Sequence, residues 1–146
     1  NVSDVITQGQ GSLYCEFMGG GIKGSLRGVL TLSDQTNNNR VAFLLDTNGY
    51  LRYIIVKDGV NQVYTPPIVL EQKLNKMLGS FREGLASIYI NGEPVNSDNT
   101  CSVSTSLNTL QVGLSATNTY QLGNIVKNVK YFSEPLSDAE AVRLTS

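Results

Sequence analysis

The chain of 146 residues contains no histidine and no tryptophan. Without histidine, Ser-His and Cys-His nucleophile pairs and His-built metal sites are excluded, which removes most hydrolase mechanisms. Charge is scarce and balanced: 11 basic residues face 12 acidic ones with no basic cluster, so a nucleic acid or an anionic membrane finds nothing to hold. No run reaches the roughly 18 consecutive apolar residues of a membrane-crossing helix. No Glu-x-Asp-x-Glu stretch sets three carboxylates on one face of a strand, so glycoside hydrolysis by paired carboxylates has no visible carrier. Gly19-Gly20-Gly21 lacks the Gly-Lys-Ser/Thr that a phosphate cradle requires and reads as a turn. The chain is therefore expected to be non-enzymatic and without a cofactor.

Cysteine is nearly absent as well. Cys15 and Cys101 make an even count, but a bridge between them depends on geometry, and two small buried apolar residues is the ordinary reading. Asp46, Asn48, Asp98 and Asn99 could offer oxygens to calcium, yet Asp and Asn in turns usually serve local hydrogen bonds, and no metal is expected. The start Asn1-Val2-Ser3 has neither an initiator methionine nor the apolar core of a signal peptide, and fits a glycosylation tripeptide; it reads as the start of a piece cut from a larger protein.

What is present is β-sheet patterning across a length that suits one domain, residues 1–146. Gly84-Leu85-Ala86-Ser87-Ile88-Tyr89-Ile90 alternates and runs into Asn91-Gly92, the strongest local signal for a hairpin. Ser12–Met18 also alternates, with Leu13, Cys15 and Phe17 on one face. Further strands are expected at Leu26–Ser33, Arg40–Leu45, Tyr50–Val56, Leu74–Phe81, Leu107–Leu114 and Ile125–Phe132, while Pro66-Pro67 confines Val60–Val69 to an edge or a loop. Ser137 with Glu140 three residues on predicts a capped terminal helix.

The hairpin around Asp46-Thr47-Asn48-Gly49 is apolar on both faces. One face must meet the core; Phe43, Leu45 and Ile55 are the candidates for an apolar surface that docks a subunit, a neighbouring domain or a ligand. Sugar recognition would need flat aromatic faces beside amides and charges, for which Tyr53, Tyr64, Tyr120, Asn48, Asn61, Gln62 and Lys57 are candidates. For each tyrosine taken singly, a half-buried place in a sheet is the competing reading.

The order of landmarks resembles the concanavalin A-like or laminin-G-like superfamily, most closely the lectin domain at the N-terminus of many bacterial sialidases, carbohydrate-binding module family 40. Gly11–Phe17 matches its opening strand, Leu26–Asp34 a strand ending in Ser-Asp, Asn48-Gly49 a hairpin, Ile88-Tyr89-Ile90-Asn91-Gly92-Glu93 its Tyr-x-Asn-Gly-Glu segment, and Val129–Glu140 the final strand and helix. The resemblance implies an all-β antiparallel sandwich of jelly-roll type with a short C-terminal helix. It also implies a non-catalytic glycan-binding domain, sialidase-associated, outside the cell or on a cell or virion surface. An adhesin or phage tail-fibre head and a laminin-G-like protein-interaction module are the alternatives. The family's binding positions match Leu45, Ile55 with Lys57, the stretch Leu114–Thr117, and Tyr120. From residues and resemblance together, Tyr120, Lys57, Tyr53, Asn48 and Asn118 are the expected carbohydrate contacts.

Overall fold

The computed structural model describes residues 1–19, 24–113 and 125–146. Ten strands form two antiparallel five-stranded sheets among the described residues. The first sheet runs in the order β10 (Val126–Phe132), β1 (Gly11–Met18), β6 (Leu74–Arg82), β7 (Leu85–Ile90), β8 (Glu93–Asp98). The second runs β5 (Val60–Tyr64), β4 (Leu51–Lys57), β3 (Arg40–Leu45), β2 (Arg27–Ser33), β9 (Thr109–Val112). This is the expected all-β sandwich, closed by the short helix α1 (Asp138–Thr145).

Local chemistry explains the connections. Asn91 and Gly92 adopt φ of 51° and 85°, the left-handed pair that a two-residue hairpin loop requires, and Ile90 pairs with Glu93 across it. Asp58 and Gly59 make the same kind of loop between Lys57 and Val60. β5 ends before Pro66-Pro67 and is an edge strand, as the prolines dictate. The expected Leu107–Leu114 strand is shorter, Thr109–Val112, because Leu107 instead turns into the core at 1% exposure. The Ser137 hydroxyl accepts from the Glu140 N–H and the Glu140 carboxylate accepts from the Ser137 N–H, completing the capping box.

Leu13, Cys15, Phe17, Met77, Phe81 and Ile88 of the first sheet meet Leu30, Leu32, Phe43, Leu45, Tyr53 and Ile55 of the second, all buried. Phe43, Leu45 and Ile55, expected on a docking surface, are therefore part of the core at 0%, 3% and 0% exposure; which face of β3 and β4 turns inward was the undecided parity. The outer face of the first sheet is covered too: Tyr14, Leu78 and Tyr89 pack against Ala141 of the helix, with Phe132, Leu136, Val142 and Leu144 around them. The N-terminal segment lies along the side of the sandwich, Val2 and Ile6 packed on the core and the Tyr131 hydroxyl accepting from the Thr7 N–H and donating to the Gln10 carbonyl. Both cysteines are free and buried, Cys15 on β1 and Cys101 in the loop after β8; burial pushes the Cys15 thiol up to about 12.

Gly79 on β6 leaves room for the facing sheet: a Cβ there would fall 2.7 Å from the Tyr53 ring and 3.0 Å from the Phe43 ring. Gly79→Ala should lower stability by about 1–3 kcal/mol through overpacking. Chemical denaturation checks this, and an unchanged midpoint would mean that the rings yield freely.

Candidate functional site

The outer face of the second sheet is set out in cross-strand rows. Arg52 pairs with Leu44, and Leu44 with Gly28. Tyr64, Ile54, Ala42, Thr31 and Gln111 form the next row, and Asn61, Val56, Arg40, Ser33 and Thr109 the one after it. The floor of this face is apolar: Ala42, Leu44, Ile54 and Val56 are 0–3% exposed although they point away from the core, and Leu26 packs against them. Two arginines stand on that floor in different electrostatic conditions.

Arg52 is neutralised and pinned. Its Nε donates to Asp46 Oδ2 at 3.0 Å and its Nη1 to the Thr65 carbonyl at 2.9 Å, while the guanidinium lies 5.2 Å from the centre of the Tyr64 ring. Asp46 in turn holds the hairpin, accepting from the N–H groups of Asn48 and Tyr50 at 2.9 and 3.0 Å. Burial alone would raise the Asp46 carboxyl; the Tyr50 N–H, Arg52 and the Asn48 N–H outweigh it and hold the group below the usual carboxylate range.

Arg40 has no such relief. Its Nη1 donates to Asn37 Oδ1 at 2.9 Å, but its Nε is buried without a hydrogen-bond partner. Burial pulls its pKa down, with only the Tyr64 phenol acting against that, and no carboxylate contributes. The result is a poorly solvated cation beside an apolar floor.

The expected contacts fall in different places. Tyr53 is a correction: it is 1% exposed in the core, tilted on Phe43 with ring centroids 5.3 Å apart, and its hydroxyl donates to the Ser80 carbonyl at 3.0 Å. It shares the inward parity of Leu51 and Ile55 and offers no ring to a ligand. Lys57 sits at the far end of β4, where its Nζ donates to Ser102 Oγ at 3.2 Å and helps tie the loop after β8 to Glu83. Asn48 lies exposed in the hairpin turn beside Asp46. Tyr120 and Asn118, with Leu114–Thr117, lie outside the described residues. Arg40 and Arg52 were missed, although their period-two spacing from Ala42, Leu44, Ile54 and Val56 places both on the outer face of the hairpin.

Elsewhere, a groove of about 500 Å³ beside α1 is lined by residues including Leu85, Ser87, Tyr89, Asn96, Asp138 and Val142. Its aromatic is 3% exposed and its hydroxyl is engaged by the Asp138 carboxylate, so it presents no stacking face. Asp98 Oδ1 accepts from the N–H and hydroxyl of Thr100, and no group of three metal-ligating side chains occurs among the described residues.

No protein-family profile matches the sequence, and no curated protein does. Solved structures do. The family 40 carbohydrate-binding module of a Ruminococcus gnavus intramolecular trans-sialidase, solved with α2,3-sialyllactose, superposes with a TM-score of 0.77 at 16% identity over 99% of this chain and 86% of that one. The chain has the β-sandwich fold of these modules. Domain 4 of an extracellular arabinanase from Geobacillus stearothermophilus, solved with arabinotriose, superposes at 0.74 with 14% identity, covering 97% of this chain and 69% of that one. In the NanB sialidase of Streptococcus pneumoniae the match is 0.75 at 16% identity, and the chain spans 25% of that protein.

The Asp46–Arg52 pair makes a pH-dependent prediction. A depressed folded-state carboxyl contributes stability that is complete above the ordinary value near 4 and is lost as the pH falls through the folded value. Asp46→Asn keeps an acceptor but removes the charge, so at neutral pH it should be less stable than the parent by about 1 kcal/mol, the gap closing below about pH 4. Urea unfolding at pH 7, 4, 3 and 2 reads both, and a gap that does not narrow between pH 4 and pH 2 would rule out the charge as its source.

Proposed function

We propose that this domain binds glycans without catalysing their conversion, on the outer face of the second sheet, and that the glycan carries a carboxylate. The observation that carries the reading is Arg40. Its guanidinium has already lost much of its water to burial and has gained no counter-charge, so an arriving anion gains more there than at a fully solvated cation. A carboxylate matches the guanidinium fork in geometry as well as in sign. Because the floor residues are themselves unexposed, the ligand meets the groups standing over them.

The fold supports the reading, since structures of the same architecture were solved with sialyllactose and arabinotriose bound. The absence of histidine and of a carboxylate cluster fits a non-catalytic role. Attachment to a sialidase-like enzyme working outside the cell follows as part of the same proposal. The adhesin and protein-interaction readings rested on Phe43, Leu45 and Ile55 as an exposed face, and these residues are buried in the core.

The test is a glycan array carrying sialosides, other acidic glycans and arabino-oligosaccharides, followed by titration calorimetry. Acidic glycans should bind, Arg40→Ala should weaken them about tenfold or more, and added salt should weaken the parent's binding. A blank array from folded protein, or equal binding by Arg40→Ala, would overturn the proposal.

A further inference from the structure

Among the described residues Tyr64 is the most exposed tyrosine, ahead of Tyr50 at 37%. Tyr14, Tyr53 and Tyr89 are buried at 1–3% exposure, whereas Tyr64 is 53% exposed at the end of the edge strand β5. It is not loose. Arg52 lies against its ring, and Arg52 is itself fixed by Asp46 and by the carbonyl of Thr65, the residue next to Tyr64. The Asp46 carboxylate that pins Arg52 is held by two backbone N–H groups of its own turn. An aromatic ring immobilised in this way loses little conformational freedom when a ligand stacks on it.

Its position relative to Arg40 gives that rigidity a use. Tyr64 pairs with Ile54 on β4, and Ile54 with Ala42 on β3, the strand that carries Arg40. Neighbouring strands lie about 4.8 Å apart, so the backbone of Tyr64 stands about 10 Å across the sheet from the Arg40 strand, and its phenol is near enough to act on the Arg40 charge. A glycan of two or more sugars spans that backbone offset, with one sugar at Arg40 and the next at Tyr64.

Resting on the glycan-binding reading, we propose that Tyr64 is a stacking platform for the sugar next to the acidic one, so that the ligand runs across the strands from β3 toward the β5 edge. The domain would then recognise a glycan of two or more residues, with the charge read at Arg40 and the apolar C–H face of the adjoining sugar read at Tyr64.

The experiment is calorimetry with two probes, the methyl glycoside of sialic acid and 3′-sialyllactose, on the parent, Tyr64→Ala and Tyr64→Phe, with melting curves for each. The parent should bind sialyllactose about fivefold more tightly than the methyl glycoside, a gain in the range of one aromatic contact. Tyr64→Ala should abolish that gain while leaving the methyl glycoside unchanged, and Tyr64→Phe, which keeps the ring, should retain it. A Tyr64→Ala protein that keeps the gain, or that weakens both probes alike, would overturn the platform and leave the acidic-glycan reading standing. A folded parent blind to both probes would overturn that reading for sialosides, and the platform with it.

Discussion

Tyr53 crosses the gap between the two sheets. Its ring lies against Phe43 within its own sheet, its hydroxyl donates to the Ser80 carbonyl in the other, and Gly79 leaves the space that the ring occupies. One side chain thereby sets both the spacing of the sheets and the parity of β4. With Tyr53 and Ile55 committed inward, Arg52, Ile54 and Val56 must face outward, and pairing carries the same choice to Arg40, Ala42 and Leu44 on β3. A one-residue slip of β3 would bring Arg40 into the core and Phe43 to the surface, and one of β4 would do the same with Arg52 and Tyr53.

The outer face that results contains two arginines with one chemistry and opposite circumstances. Arg52 is balanced by Asp46 and used as structure, gripping the hairpin and the strand edge together. Arg40 holds its charge beside the same apolar floor with an amide oxygen as its acceptor. Paired charges of this kind tend to organise a surface, while an uncompensated and poorly hydrated one is available to a ligand. The division of labour comes from Asp46 alone, which reaches one arginine and contributes nothing at the other.

The sequence disclosed the fold more fully than the site, for identifiable reasons. Asn91-Gly92 and the Ser137–Glu140 box are short-range signals whose physics is complete within four residues, and both stand where they were expected. The face of the β3–β4 hairpin was not legible, because both its sides are apolar and alternation alone does not say which side is inward. That ambiguity made Tyr53 look like a sugar platform and made Phe43, Leu45 and Ile55 look like an interface. It also hid Arg40 and Arg52, whose meaning depends on which parity is outside. Lys57 has the charge expected of a ligand contact, but Ser102, far away in the chain, engages it, and no local pattern announces a partner at that distance.

The edges of the two sheets are treated in a consistent way. β8 carries Pro94, β5 is five residues long and runs into Pro66-Pro67, β9 is four residues long, and β10 bears Lys127 and Lys130 with its ladder to β1 broken between Tyr14 and Glu16. An exposed strand edge is a template onto which another chain can add itself, and prolines, shortness, charge and broken register each spoil the template. The outer strand of each described sheet edge therefore resists the addition of a strand from another chain.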